Sequence, residues 1–448
     1  MKRTVKQLAD WLQVTTYQQP TVEVTGVTID TRTVKEGDLF VPFRGERSNG
    51  HDYVQQAMDA GASAVLWQAD EPNPPAHIPL IIVQDTEIAL QELARQYRLV
   101  HQATFIGITG SNGKTSSKDI VAGLLAPYFK VQKTQGNFNN QLGLPITILN
   151  LDEDTEVAVL EMGMSGFGEI AFLSILAQPH IAIITNIGEA HMQDLGSREG
   201  IAKAKFEIIK GLLPNGILFY DGDEPLLQAL ITDTITTKSF GMQTTNDLYA
   251  TAILATEAGS EFTVGGTMEE RVLISALGEH QVKNALGAML VAQHIGLTPA
   301  QIKQSLAQVT LTDMRMQLVS KGELLFINDA YNAAPTSVRA AIEFMNTTTI
   351  RPKKWLVLGD MLELGPNELD YHAELATAID PARIETVLLF GPRMRALYDV
   401  LAQRFSAENL YYAAEDISAL ATIIEQSATN ETLILIKGSR GMKLERLI

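Results

Sequence analysis

The stretch ATFIGITGSNGKTSSKDIVAGLL, residues 103–125, constrains the fold more than any other. Phe105, Ile106 and Ile108 form an apolar run of the kind a buried strand shows. The run enters a turn containing Gly110 and Gly113. Ile120, Val121, Leu124 and Leu125 then recur at helical spacing. A buried strand that turns directly into a helix belongs to a parallel sheet with helices packed on its faces. The glycines let backbone N–H groups turn inward, and the helix N-terminus adds partial positive charge, so the turn can cradle phosphate. Lys114 can reach terminal phosphates, and the Thr115 hydroxyl can ligate Mg2+. The common pattern G-x-x-x-x-G-K-[ST] would need a glycine where this chain has Ile108. The loop is thus a variant of that type. An ordinary strand–turn–helix connection is the competing explanation, and the run G-x-x-G-K-T in this setting disfavours it.

The 448 residues suffice for roughly three domains of about 150 residues each. Residues 1–102 mix strands (VEVTGVTI, DLFVPF, AVLWQ, LIIVQD) with helices (DYVQQAMDAG, IALQELARQYRLV), which predicts a small α/β domain. Residues 103–313 continue from the phosphate loop through the apolar runs TEVAVLEMG and HIAIITNIG. They later alternate in LYATAILATEAGSEFTVGGTMEERVLISAL, a pattern of antiparallel hairpins. That block is expected to be a parallel-sheet nucleotide domain. Residues 314–448 repeat strand then helix: LLFIND and TSVRAAIEFM, KWLVLGD, TVLLFG and RMRALYDVLAQRF, TLILIKG. The rhythm predicts a third, Rossmann-like α/β domain, with ligands gathered at the carboxyl ends of its strands.

Several classes are disfavoured. There is no cysteine, hence no disulfide framework, thiolate zinc site or cysteine nucleophile. The formal net charge of −17 argues against a nucleic-acid partner, which needs a basic footprint. The opening MKRTVKQLADWLQ reads as an amphipathic helix with Leu8, Trp11 and Leu12 on one side, not as a signal peptide. No apolar run approaches the ~20 residues of a membrane helix, so no membrane insertion and a cytoplasmic location are expected.

Three residues after the apolar runs are candidates for the chemistry. Glu161 follows the second run, where an acid beside a phosphate loop is either an Mg2+ ligand or a solvated loop carboxylate. His191 follows the third run. In SREGIAKAKFEIIKGLL, Lys205 lies four residues after Ile201 and three before Ile208, so it sits on the apolar stripe. Lys203 and Lys210 face the opposite side. A lysine on a buried face must pair with an acid, snorkel, or lose its charge. A neutral amine can also add CO2 and become an anionic carbamate. Helix geometry alone favours the plain ion pair.

TGSNGKT, GNFNNQLGLP, LEMGMSGFGEI, TNIGEAHMQDLGSREGIAKAK, GEHQVKNALGA, MRMQ, INDAYNAAP, LGDMLELG and KGSRGM together closely resemble the Mur ligases. DTRTVKEGDLFVPFRGERSNGHDY resembles a UDP-sugar-binding segment of one subgroup, and the resemblance runs from about residue 26 to the end. T-G-x-N-G-K-T is the family's own loop pattern, which accounts for Ile108. Thr31, where serine is usual, keeps the hydroxyl; HQVKN departs slightly from the usual pattern.

The resemblance implies an ATP-dependent amide ligase, with UDP-MurNAc-tripeptide and D-Ala-D-Ala as substrates; INDAYNAAP argues against another muramoyl step, and residues 30–53 against folate glutamylation. It implies ATP held by Thr109, Gly110, Ser111, Asn112, Gly113, Lys114, Thr115, Asn284, Arg315, Asp329 and Asn332. It implies Mg2+, two ions, on Thr115, Glu161, His191 and a carbamylated Lys205. Lys114, Glu161, His191, Lys205 and Arg315 would carry catalysis. Thr31, Arg32, Asn49, His51, Asn137, Asn139 and Asn140 would meet the UDP substrate, and Lys437 and Arg440 the acceptor carboxylate. A monomer is the expected state.

Overall fold

The strand Thr104–Thr109 stands inside a nine-stranded sheet, between Ile181–Ile184 and Val157–Glu161 and parallel to both. The computed structural model describes residues 1–46, 48–189 and 192–448. After Thr104–Thr109 the chain builds Val131–Lys133 and Val157–Glu161 on one side, then crosses to Ile181–Ile184 on the other. Strand order therefore reverses at the phosphate strand. In open α/β sheets, the crevice at such a reversal, outside the carboxyl ends, is where ligands bind.

The sheet continues through Ile217–Asp221 and Thr236–Gly241 in parallel. The hairpins expected from the alternating stretch are present as Leu248–Thr256, Gly259–Gly266 and Glu270–Ile274, paired antiparallel. They do not form a separate layer. Phe240 and Gly241 pair in parallel with Leu248 and Tyr249, so the hairpins extend the same sheet.

Side-chain alternation fixes both faces of the phosphate strand. Ile106 and Ile108 join a core with Ile120, Val121 and Leu124 of the helix Lys114–Leu125 and with Val282, Leu286 and Met289 of the helix Glu279–Ile295. Phe105 joins another with Leu160, Ile184, and the helices Thr86–Val100, Glu169–Ala177 and Arg198–Phe206. Each fully buried aliphatic side chain contributes about 1.5–3 kcal/mol. The loop is thus anchored from above and below.

A four-stranded parallel sheet, in the order Gly26–Thr28, Asp38–Phe40, Ala64–Gln68 and Leu80–Val83, precedes it. Its buried Val27, Leu39 and Leu66 belong to the same apolar cluster as Leu144, Ile148 and Leu160. The opening helix spans Val5–Leu12, with Leu8 buried and a capping box on Thr4. A six-stranded sheet follows, in the order Gln317–Lys321, Leu324–Asp329, Thr432–Lys437, Lys353–Gly359, Thr386–Phe390, Leu410–Ala413. Only its first strand is antiparallel. Register sets Asp329 beside Lys437 at neighbouring carboxyl ends. Among the described residues no helix is long and apolar enough to cross a membrane.

Candidate active site

The phosphate loop is held open by its neighbours. Gly113 has φ +79°, a left-handed conformation that a side chain resists, and a Cβ there would strike the Asn284 amide. The Thr109 hydroxyl donates to the Met162 carbonyl at 3.0 Å. The Asn112 N–H donates to Asn186 Oδ1 at 3.0 Å, and Asn186 Nδ2 donates back to the Asn112 carbonyl at 2.9 Å. Thr185 Oγ1 donates to that same carbonyl at 2.6 Å. Thr185 and Asn186 are site residues that sequence reasoning missed, although both stand in the TNIGEAH motif beside His191. Lys114 Nζ donates to the Gly110 carbonyl at 2.8 Å, folding its ammonium over the loop. Burial lowers the Lys114 pKa; nearby Glu161 opposes the shift and Arg315 adds to it.

Glu161 ends its strand 3% exposed, so it is no solvated loop carboxylate. Its Oε1 accepts from Asn139 Nδ2 at 2.8 Å, while Oε2 has no hydrogen-bond partner. Among the described residues, Lys118 Nζ is the cation within ion-pair distance, at 3.8 Å from Oε2. Three of the five buried side-chain atoms left unpaired among the described residues, Ser111 Oγ, Glu161 Oε2 and Arg315 Nε, lie around this loop. Buried polar groups are nearly always paired, so the cluster marks a ligand site. A carboxylate oxygen without a hydrogen-bond partner, lining the same cleft as Thr115, fits a divalent cation.

Lys205 is 1% exposed, on the helix Arg198–Phe206 that Ser197 caps, while Lys203 is exposed. Among the described residues no hydrogen bond or ion pair engages its amine, so the expected ion pair is not found. Burial lowers its pKa well below the ordinary value, and nearby Lys114 lowers it further. His191 lies outside the described residues.

Arg315 arrives from the segment leading into the six-stranded sheet. Its guanidinium donates to Thr115 Oγ1 at 3.2 Å and stacks on the Tyr331 ring at 4.3 Å. Asp329 Oδ1 accepts from the Met316 N–H at 3.1 Å, and Oδ2 accepts from Lys437 Nζ at 2.5 Å. Lys437 is 3% exposed and also donates to the Asn332 carbonyl. Its charge is thus matched by Asp329, and it lines the same cleft as the phosphate loop. Arg440 remains half-exposed and pairs with Glu445 at 3.0 Å. Ser111 to Thr115, Glu161, Asn284, Arg315, Asp329, Asn332 and Lys437 line one cleft of about 810 Å³.

A second cleft, of about 890 Å³, opens between the four-stranded sheet and the central one, lined by Thr28, Asp30, Lys35, Lys133 and Phe138 among others. Residues 135–140 partition the two. Gln135 and Phe138 face this cleft, whereas Asn137 and Asn139 face the nucleotide cleft. Asn140 instead accepts from the Gly143 N–H at 2.9 Å. Thr31 and Arg32 flank the second cleft in sequence, and Arg32 pairs with Asp30. Asn49 and His51 are engaged inside the first block. Asn49 bonds Glu71, and His51 bonds Asn49 and accepts from the Gln68 N–H.

A variant phosphate loop, a carboxylate oxygen without a hydrogen-bond partner and an arginine from the segment leading into the six-stranded sheet define a site for a nucleotide phosphate. Residues 23–98 match the model "Mur ligase family, catalytic domain", 108–292 the "Mur ligase middle domain", and 314–440 the "Mur ligase, glutamate ligase domain". The chain is 44% identical to the UDP-N-acetylmuramoyl-tripeptide–D-alanyl-D-alanine ligase of Bacillus subtilis, covering 100% of this chain and 98% of that one. It is 34% identical to the Escherichia coli enzyme of the same name, over 99% and 97%. The crystal structure of MurF from Acinetobacter baumannii superposes with a TM-score of 0.87 at 30% identity, over 100% and 98%. MurF from Thermotoga maritima, in complex with ADP, gives 0.82 at 29% identity, over 95% and 96%. The chain belongs to the Mur ligase family.

Proposed function

We propose that the chain joins D-alanyl-D-alanine to UDP-N-acetylmuramoyl-tripeptide at the expense of ATP, forming the pentapeptide precursor of peptidoglycan, ADP and phosphate. One observation carries this reading: Lys114, the unpaired Glu161 oxygen and Arg315 converge on a single cleft that a thin loop divides from a second one. ATP occupies the first cleft and the UDP substrate the second. The tripeptide carboxylate crosses at Asn137 to Asn139 and attacks the γ-phosphate, releasing ADP and leaving an acyl phosphate. The acceptor amine attacks the acyl carbon, and the tetrahedral intermediate expels phosphate.

A carboxylate attacking a triphosphate brings like charges together, so positioning and electrostatics dominate. Lys114 and Arg315 supply positive charge at the phosphates. Asn139 orients Glu161. Bound Mg2+, held by Thr115 and by Glu161, His191 and carbamylated Lys205, would screen the remaining charge. Burial with no acidic partner among the described residues supports the carbamate: a neutral Lys205 amine takes up CO2 and releases a proton, becoming an anionic ligand. Lys437 and Arg440 are the candidates for the acceptor carboxylate. Residues 1–102, 103–313 and 314–448 act as UDP-substrate, ATP and acceptor domains of a cytoplasmic monomer.

The test is phosphate release from MgATP with UDP-MurNAc-tripeptide and D-Ala-D-Ala omitted in turn. Release is expected only with both present. Release indifferent to D-Ala-D-Ala would sink the reading.

A further inference from the structure

The path from the central sheet to Arg315 is tied twice to the helix that carries the phosphate loop. Asp119 lies on that helix with its carboxylate fully buried. Its Oδ2 accepts from both the N–H and the Oγ1 of Thr312, at 2.9 and 2.6 Å. Its Oδ1 accepts from Lys133 Nζ at 2.7 Å. Three residues past Thr312, Arg315 donates to Thr115. Thr115 and Asp119 are four apart and so share one helix face. Both ends of the segment 312–315 are therefore referenced to the same helical turn.

The segment between and after these ties is not relaxed backbone. Met314 has φ +64° and Met316 φ +52°, left-handed values on either side of Arg315. Such conformations persist in residues with a Cβ only where the surroundings over-determine them. Here the Tyr331 N–H donates to the Met314 carbonyl at 3.2 Å, and Asp329 accepts from the Met316 N–H. Those two anchors belong to the third block. Apart from the Arg315–Thr115 bond itself, the Asp119–Thr312 pair is what refers the segment to the phosphate-loop helix among the described residues.

We propose that Thr312 and Asp119 form a clasp that positions Arg315 over the nucleotide, Thr312 acting through Arg315 and not on substrate. The proposal rests on the role of Arg315 given above. Thr312 lines neither cleft, whereas Asp119 lines the second one, so Thr312 is the cleaner probe.

The experiment measures phosphate release by Thr312→Val, which keeps shape and N–H but loses the hydroxyl. Thr312→Ser, Arg315→Ala and the double variant Thr312→Val/Arg315→Ala are compared with it. Thr312→Val is expected to lower kcat roughly tenfold, the equivalent of one hydrogen bond to a charged group, with the KM of the UDP substrate changed less than about twofold. Thr312→Ser should restore kcat. In the Arg315→Ala background Thr312→Val should add less than about twofold, because coupled residues are not additive. Unchanged kcat in Thr312→Val, no rescue by serine, or a full tenfold loss in the Arg315→Ala background would overturn the clasp. Should the valine variant fail to fold, Thr312→Ala carries the same comparison. A fully active Arg315→Ala would refute instead the role of Arg315 itself.

Discussion

Replacing Lys205 by methionine is expected to stabilise the substrate-free chain while ending turnover. The side chain is 1% exposed and its amine has no partner among the described residues. Methionine nearly conserves the volume and keeps the packing of the stem. Methionine removes an ammonium whose charged form burial disfavours, so stability at neutral pH should rise. A pH dependence follows. The folded pKa lies below the ordinary value of 10.5 that holds in the unfolded chain. Between those two values the unfolded state binds more protons, so stability rises with pH there. As pH falls from 10.5, the unaltered chain loses about 1.4 kcal/mol per unit until the folded pKa is reached, and Lys205→Met does not. The gap between variant and parent therefore widens downward through that window and is flat below it. The assay is urea denaturation from pH 7 to 10, in bicarbonate-free buffer and again with bicarbonate. Bicarbonate should narrow the gap, because a carbamate beside Lys114 replaces repulsion by attraction. A variant less stable than its parent in bicarbonate-free buffer, or a gap independent of pH throughout, would refute the reasoning.

Lys114→Ala should cut phosphate release by about 10³-fold or more, since a charge aimed at the transferring group is lost. Lys205→Ala should regain part of its turnover with added formate or acetate; an absence of rescue would speak for a purely structural lysine. Gly113→Ala should weaken binding of an ATP analogue at least roughly tenfold by calorimetry, because its φ of +79° and the Asn284 amide both oppose a Cβ. Asp329→Asn should destabilise the third block by about 3–5 kcal/mol in denaturant, since it leaves a 3%-exposed Lys437 uncompensated. Ligands that bridge the blocks should compact the molecule, so scattering profiles with and without ATP analogue and UDP substrate should differ; superimposable profiles would count against closure.

Local chemistry was legible in the sequence wherever spacing alone decides it. The strand, turn and helix of residues 103–125 follow from apolar period and two glycines. Lys205 was singled out over Lys203 by its place on an apolar stripe, and the structure buries one and exposes the other. What spacing cannot supply is the partner brought by tertiary packing. Lys437 reads as a free terminal cation until parallel register sets it beside Asp329. Asn139 and Asn49 both look available, yet one braces Glu161 and the other binds Glu71. The clasp of Asp119 on Thr312 joins positions far apart in the chain with no local motif. The hairpins were expected from alternation, but their fusion to the central sheet depends on one short parallel contact at Phe240 and Gly241.

The reversal of strand order at Thr104–Thr109 also has a consequence for the birth of the protein. The first strand of its sheet to be synthesised ends up in the interior, between partners made later. The helix Glu279–Ile295, which packs against the phosphate-loop helix, leaves the ribosome roughly 10–40 s after that strand at about 5–20 residues per second. Until then the loop helix lacks one wall of its core, and a nascent chain displays Ile120, Val121 and Leu124 uncovered. Chaperone occupancy on translating ribosomes should therefore rise after residue 125 and fall once residue 295 has emerged.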